Sequence, residues 1–124
     1  MNLKIDTKQK FNEISVLEQQ LTANMTAKAE QKLSGLPNLP VKNVILLLNK
    51  VEAMDLEFAE ALTGIQASFY ENSASFVICG LQPSVQAFLE EAELLEIMNV
   101  TPTLSEAWDI VQMEEVEREL MGDF

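Results

Sequence analysis

Apolar residues fall into two uninterrupted runs and several periodic segments, and the two runs are the most informative part of the chain. They lie in the predicted strands at 44–48 and 75–79, of which the second opens with Ser75, its one polar residue, and ends at Gly80. An uninterrupted apolar run is typical of a strand that is covered on both faces of its sheet. Between the runs, apolar residues recur at the spacing of one helix face, at Phe58, Ala61, Leu62, Ile65 and Phe69. A strand, a helix at 56–71 and a second strand imply parallel pairing through a right-handed crossover.

The N-terminal part of the chain predicts a hairpin followed by a helix. Apolar and polar residues alternate over residues 3–7, which is the period of a half-buried strand, and residues 11–21 are predicted as the second strand. Either Thr22 or Asn24 then caps a helix that runs to about Leu33.

The C-terminal part predicts two more helices with a short strand between them. Pro83 suits the first turn of one helix, and residues 99–103 form an edge strand, where a proline is tolerated. Thr103 or Ser105 caps the last helix, whose apolar face includes Trp108. Together the predicted elements form a small α/β domain with about five strands in a mixed sheet and about four helices.

Acidic residues are concentrated towards the C-terminus. Residues 1–89 hold 9 acids and 7 bases, whereas residues 90–124 hold 11 acids and one base, Arg118, which together give the formal charge of −12. After a domain at 1–112 the helical spacing slips, so residues 113–124 are expected to be an acidic helical extension that leaves the core. Nucleic acids and anionic membranes select clustered Lys and Arg, which this chain lacks. A basic protein partner suits the charge, although surplus acid also serves solubility alone.

Length and composition suit one globular domain in the cytoplasm. The chain has 124 residues, of which 48% are hydrophobic, and no apolar run approaches the ~20 residues that span a bilayer. No apolar signal core follows the N-terminal lysines, and a single cysteine, Cys79, fits a reducing compartment. We therefore expect a cytoplasmic protein with no direct membrane insertion.

Asp55 and Glu57 stand one residue apart where the first apolar strand gives way to a helix, and they are the strongest candidates for chemistry. A catalytic pair needs one carboxyl pKa shifted by burial, and residues two apart at a helix start point in different directions. Asp55 is a good N-cap and Glu57 suits the first turn, so a structural role is favoured. The chain has no histidine, which removes the usual general base and the commonest metal ligand, and Cys79 is expected to be buried. We expect no metal, no cofactor and no enzymatic activity.

Four segments follow one another in an order and spacing that are typical of one protein family. They are the apolar strand at 41–48, the approach to a turn at 51–55, Ser-Phe-Val-Ile-Cys-Gly-Leu-Gln-Pro-Ser-Val at 75–85, and Pro-Thr-Leu-Ser-Glu-Ala at 102–107. Together they resemble the STAS domain, the fold of bacterial anti-sigma factor antagonists, over about residues 3–112. The resemblance implies an STAS-like α/β fold.

The resemblance also implies a function for residues 55–58, called the signature turn below. In the family this turn usually reads Asp-Ser-Ser-Gly. A partner kinase, the anti-sigma factor, binds the unmodified antagonist and phosphorylates the first Ser, after which the two proteins dissociate. Only Asp55 matches, because Leu56 occupies the phosphoacceptor position and has no hydroxyl. Glu57 either mimics the modified state weakly or strengthens the helix start, and we favour the second role. Phe58 replaces the glycine and is expected to pack inward.

Taken with the resemblance, these residues predict a non-enzymatic regulatory binding protein that is not switched by phosphorylation at Leu56. The expected docking surface consists of Asp55, Leu56 and Glu57, with Asn24 and Gln82 on the same rim. The expected partner is an anti-sigma factor-type protein kinase or another signalling protein, such as another STAS protein or a subunit of a larger signalling complex. The oligomeric state is left open, a homodimer included. A peripheral STAS-like accessory subunit of a membrane transporter is the alternative.

Overall fold

The two apolar runs form neighbouring strands at the centre of a five-stranded sheet. The computed structural model describes residues 1–122, in which the chain forms seven strands and four α-helices. The strands are β1 (Leu3–Thr7), β2 (Phe11–Val16), β3 (Gln20–Leu21), β4 (Asn43–Leu47), β5 (Ala53–Met54), β6 (Phe76–Cys79) and β7 (Val100–Thr101). The helices are α1 (Thr26–Leu33), α2 (Leu56–Glu71), α3 (Pro83–Glu91) and α4 (Leu104–Gly122).

The main sheet is mixed and has the strand order β1-β2-β4-β6-β7. β1 and β2 pair in the antiparallel direction as a hairpin, whereas β2, β4, β6 and β7 run parallel. Parallel neighbours need crossover connections, and α2 lies in the one between β4 and β6 as the sequence predicts. The carboxyl ends of these strands therefore share one edge of the sheet, from which the chain enters α2, α3 and α4. The predicted fold class, the mixed five-stranded sheet and the four helices are confirmed.

Helices cover both faces of the sheet. On one face, α4 packs through a small apolar cluster of Phe11, Ile45, Val77, Cys79, Ala107 and Val111. The other face carries the larger core cluster, to which α1, α2 and α3 contribute. Trp108 lies against Phe11 with ring centroids 4.9 Å apart, so its predicted place on the apolar face of the last helix is confirmed. Successive side chains of β4 and β6 point to opposite faces of the sheet, and because helices cover both faces, residues 44–47 and 76–79 are all apolar.

The predicted second strand at 11–21 is wrong in its extent. β2 ends at Val16, and β3 pairs separately with β5 in a two-stranded parallel sheet. Val16 and the next buried apolar residue, Leu21, both join the larger core cluster, yet they are an odd number of positions apart. Because side chains alternate between the faces of a strand, one straight strand cannot direct both residues into the same core.

The predicted caps of α1 are also wrong. α1 begins after a 3₁₀ turn at Ala23–Met25, and Met25 holds its N-cap position. The hydroxyl of Thr22 donates instead to the side-chain oxygen of Asn24, so the two predicted caps bond each other. The helix starts through the continuing turn of the backbone, which a search for cap residues does not detect.

The last helix uses one of its two predicted caps and continues beyond residue 112. Thr103 Oγ1 accepts the N–H of Glu106 at 3.2 Å, which identifies Thr103 rather than Ser105 as the cap. The described part of the predicted extension at 113–124 is helical and continuous with the rest of α4, and residues 123 and 124 lie outside the described residues. The division of the chain at residue 112 stays a prediction.

A polar network holds the C-terminal half of α4 against the domain. Asn43, which is buried at the start of β4, donates through Nδ2 to Glu115 Oε1 at 2.6 Å and accepts the Ser75 N–H at 2.8 Å. Arg118 Nη2 donates to Ser75 Oγ at 3.0 Å and to Asn43 Oδ1 at 3.2 Å. The inner side of this segment keeps contact with the domain, which differs from the expectation that the segment leaves the core.

Candidate functional site at the signature turn

Asp55 connects β5 to α2 and caps the helix. It has extended backbone angles, φ −90° and ψ 168°, and occupies the N-cap position. Its Oδ1 accepts the N–H of Phe58 at 2.9 Å, which satisfies one of the N–H groups that the first turn of a helix leaves free. The predicted N-cap role of Asp55 is confirmed.

The second carboxylate oxygen of Asp55 binds a different part of the chain. Oδ2 accepts the backbone N–H of Ala23 at 2.7 Å, and the Asp55 N–H donates to the Leu21 carbonyl at 2.9 Å. The loop between β3 and α1 is therefore fixed to the start of α2. Asn24, the next residue after Ala23, is exposed beside this contact.

Leu56 and Glu57 form the exposed part of the turn. Leu56 is the first residue of α2 and is 50% exposed, and Glu57 is also exposed. Phe58 is 1% exposed and joins the larger core cluster, so its predicted inward packing is confirmed. The turn thus presents an apolar side chain and a carboxylate to solvent, while the aromatic ring anchors it from below.

Gln82 lies at the same edge of the sheet, at the start of α3. Its Nε2 donates to the Asn49 carbonyl at 2.8 Å, and the neighbouring Ser84 hydroxyl donates to the Glu52 carbonyl at 2.9 Å. Gly80 lets the loop that carries Asn49 come this close, since it has φ +75° and an added Cβ would lie 2.7 Å from the Asn49 side chain. Gln82 thus contacts the loop that leads into β5, whereas Asn24 is attached through Asp55.

Sequence reasoning missed Asn49 and Ser84 as parts of this rim. Gly80 was the available signal, because a glycine directly after a buried strand often marks a close backbone approach. What approaches Gly80 is the side chain of Asn49, from the loop that follows the neighbouring parallel strand. The contact between Asn49 and Gly80 depends on the pairing of β4 with β6, so it is defined only in the folded sheet.

The carboxylates of the turn are arranged for structure. Both oxygens of Asp55 accept backbone N–H groups, while Glu57 points to solvent from the first turn, where a negative charge complements the helix dipole. Within residues 1–122, no group of three or more Cys, Asp or Glu side chains is placed to hold a metal ion. Cys79 is buried as expected, and burial, reinforced by the charge of Glu13, raises the pKa of its thiol to about 11.

An acidic groove of about 680 Å³ opens between α1 and α2, beside the turn. Glu30 lines it from α1, and Glu57 and Glu60 line it from α2. The groove stays open where Ala61 and Gly64 line it, because alanine contributes only a methyl group and glycine has no side chain. The surface that continues from Glu57 is therefore concave and negatively charged.

The family model of the STAS domain matches residues 4–107, which is most of the chain. This chain belongs to the STAS domain family. A comparison with curated proteins finds no match. In the part of this STAS domain that the structure describes, no helix is both long and apolar enough to cross a membrane.

Solved structures share the STAS fold at low sequence identity. An anti-sigma-factor antagonist (STAS) domain protein from Planctomyces limnophilus has a TM-score of 0.74 at 19% identity, over 89% of this chain and 97% of that chain. The Bacillus anti-sigma factor antagonist SpoIIAA, in its unphosphorylated form, has a TM-score of 0.70 at 16% identity, over 90% and 96% of the two chains. The murine anion transporter Slc26a9 has a TM-score of 0.69 at 14% identity, over 87% of this chain and 18% of that chain. At these identities the likeness concerns the fold.

Proposed function

We propose that this STAS domain is a non-enzymatic regulatory binding protein of the anti-sigma factor antagonist type, and that its signature turn binds a protein partner without a phosphorylation switch. The observation that carries the proposal is the position of Leu56, which is half exposed at the first residue of α2, next to the Asp55 cap. An apolar side chain stands where the family resemblance implies a regulated serine. The proposed partner is an anti-sigma factor-type protein kinase or another signalling protein in the cytoplasm.

The turn is held in one shape before a partner binds, which favours binding. Asp55 joins the start of α2 to the loop that carries Asn24, and Gln82 is hydrogen-bonded to the loop ahead of β5. A surface that is already ordered loses less conformational entropy when a partner docks. We propose Asp55, Leu56, Glu57, Asn24 and Gln82 as the partner-binding residues.

The turn offers no hydroxyl group that a kinase could phosphorylate. Residues 51–62 contain no Ser, Thr or Tyr. A phosphate adds a charge of about −1.5 to −2 at neutral pH, whereas Glu57 supplies one permanent negative charge in the first turn of α2. We take Glu57 to strengthen the helix start, so that the surface stays in its unmodified, binding state.

The charge beside the turn favours a partner with a basic surface. Glu57 belongs both to the turn and to the acidic groove between α1 and α2, which Glu30 and Glu60 also line. Complementary charge raises association rates and excludes acidic partners. A kinase surface that contacts Leu56 and places Lys or Arg in this groove fits both features.

The test combines binding and phosphate transfer. The protein is incubated with candidate anti-sigma kinases, with and without ATP, and affinity is measured by calorimetry and modification by mass spectrometry. We expect the unaltered protein to bind its kinase equally in both conditions and to gain no phosphate. Leu56→Ser restores a hydroxyl at the acceptor position, so we expect it to gain one phosphate and to lose roughly tenfold or more in affinity once modified.

Leu39→Ser is the matched control, because Leu39 is 52% exposed, close to the 50% of Leu56. It is expected to remain unmodified and to bind as the unaltered protein does. Phosphorylation of the unaltered protein that releases the kinase would overturn the proposal in favour of a switch at another residue. Lack of binding to every candidate kinase would remove the kinase as partner.

A peripheral accessory subunit of a membrane transporter is the second candidate function. The fold likeness to Slc26a9 favours it, because the chain corresponds to 18% of that anion transporter. Immobilised protein is incubated in parallel with detergent-solubilised membranes and with soluble extract, and Leu56→Lys is treated identically. Enrichment of a transporter from the membranes supports this candidate, whereas enrichment of a kinase that Leu56→Lys abolishes supports the first.

A further inference from the structure

The C-terminal half of α4 carries an apolar stripe on its outward side. Met113, Val116 and Leu120 are 60%, 54% and 65% exposed. Because successive helix residues are about 100° apart, these three positions lie within about 60° of one another around the axis and span about 10 Å along it. These three residues are called the outer stripe below.

The orientation of the outer stripe is fixed by contacts on the opposite side of the helix. Three residues that lie between the stripe residues in sequence form hydrogen bonds to the rest of the domain. They are Glu114, Glu115 and Arg118. The same inner side carries Ala107 and Val111 into the core. The stripe is therefore held facing away from the sheet on a docked helix.

Acidic side chains surround the outer stripe. The exposed acids on the described part of α4 include Glu106, Asp109, Glu117 and Glu119. Arg118 is the single base in residues 90–124, and its guanidinium donates to Asn43 and Ser75 on the inner side. A second copy that docked stripe to stripe would bring acid against acid, and an anionic membrane would be repelled for the same reason.

We infer that the outer stripe binds an amphipathic helix of a protein partner whose apolar face is flanked by Lys and Arg. Apolar side chains at i, i+3 and i+7 form a ridge that packs against a facing helix. Met113 adapts its flexible side chain to the opposing surface, and the flanking acids pair with the bases of the partner. α4 covers the sheet face opposite α2, so this surface is separate from the signature turn and does not depend on the proposed function.

The probe for this surface is a labelled synthetic helix with Leu on one face and Lys on the other, titrated with the whole protein by fluorescence anisotropy. We expect saturable binding that weakens as salt rises from about 0.05 to about 0.5 M, because salt screens the paired charges. A peptide with Glu in place of every Lys is expected not to bind. Combined Met113→Ser, Val116→Ser and Leu120→Ser substitutions are expected to weaken binding of the Lys peptide by roughly tenfold or more.

Two control variants separate this surface from the others. Leu39→Ser with Ile97→Ser removes apolar side chains that are 52% and 57% exposed outside α4, and Leu56→Ser alters the signature turn. Both variants are expected to bind the Lys peptide as the unaltered protein does. Circular dichroism verifies that each variant folds.

Three outcomes would overturn the assignment. The first is equal affinity of the triple serine variant and the unaltered protein, which would place the peptide on another acidic surface. The second is no binding of the Lys peptide at low salt. The third, from sedimentation velocity, is a dimer that the triple serine variant abolishes, which would assign the outer stripe to a second copy.

Discussion

The carboxylate of Asp55 accepts the backbone N–H of Ala23 at 2.7 Å, although the two residues are 32 positions apart. The same carboxylate caps α2 through Phe58. One side chain thus fixes the start of a helix and the loop before another helix.

Replacing Asp55 is expected to destabilise the protein, and alanine is expected to do so more than asparagine. Asp55→Ala removes the cap and leaves the Ala23 N–H without its acceptor, and we expect a loss of about 1–3 kcal/mol in the free energy of unfolding. Asn caps a helix nearly as well but has only one acceptor oxygen, so Asp55→Asn is expected to cost about 0.5–1.5 kcal/mol. Urea denaturation measures both. Glu60→Ala, an exposed acid on the same helix, is the control, and equal stability of all three variants would contradict a bridging role.

Asn43 is expected to contribute more to stability than Arg118, although the two belong to one network. Asn43 is 1% exposed, and without it the Ser75 N–H and the Lys10 carbonyl lose buried partners. Asn43→Ala is therefore expected to cost about 2–4 kcal/mol, because each unsatisfied buried group costs about 1–3 kcal/mol.

Arg118 is only partly buried, so Arg118→Met, which keeps an apolar stem but removes the guanidinium, is expected to cost about 1–2 kcal/mol. Urea denaturation compares these variants with Lys28→Met, which removes an exposed base from α1. A loss for Asn43→Ala no larger than that of Lys28→Met would show that the network does not stabilise the fold.

Cys79 is expected to react only when the protein unfolds. A thiol pKa of about 11 instead of 9.0 lowers the thiolate fraction about a hundredfold near pH 8, and burial limits access as well. An aromatic disulfide reagent is therefore expected to label the folded protein slowly and the urea-unfolded protein quickly. Cys79→Ala combined with Ser105→Cys, which moves the thiol to an exposed position, is the control for fast labelling. Rapid labelling of the unaltered protein without urea would contradict the buried state.

Local pattern was sufficient for the parts of the fold in which one segment determines its own structure. The helix at 56–71 and the central strands follow from apolar spacing, and Asp55 is identified as a cap because it stands at the start of that helix. The predicted end of the second strand is wrong because that end depends on where Leu21 is buried, which is a property of the assembled core.

The missed contacts all join residues that are distant in sequence. Arg118 stands out in the sequence as the single base of an acidic segment, yet its partners Asn43 and Ser75 are 75 and 43 positions away. The slip in helical spacing and the excess of acids predicted that this segment leaves the core. The fold converts the same segment into a docked helix, because buried polar groups at the start of β4 need hydrogen-bond partners.

Glu115 is expected to make stability depend on pH in the acid range. Partial burial raises its pKa, but hydrogen bonds from Asn43 and Arg118 and the charge of Arg118 outweigh this effect, so the pKa is lowered from its usual 4.5. A carboxyl with a lowered pKa in the folded state stabilises the protein above its unfolded pKa, and this contribution is lost as pH falls through the folded pKa. The expected window therefore lies below about pH 4.5.

The measurement is the urea midpoint of the unaltered protein and of Glu115→Gln from about pH 7 to about pH 3. We expect the unaltered protein to be the more stable of the two near pH 7, with a difference that shrinks as Glu115 becomes protonated. Glu119→Gln removes an exposed acid from the same half of α4 and controls for the general repulsion of a chain with a charge of −12. Since Glu119 has no such partners in the described network, its variant is expected to show no comparable convergence. A difference for Glu115→Gln that stays constant over this range would contradict the role assigned to its charge.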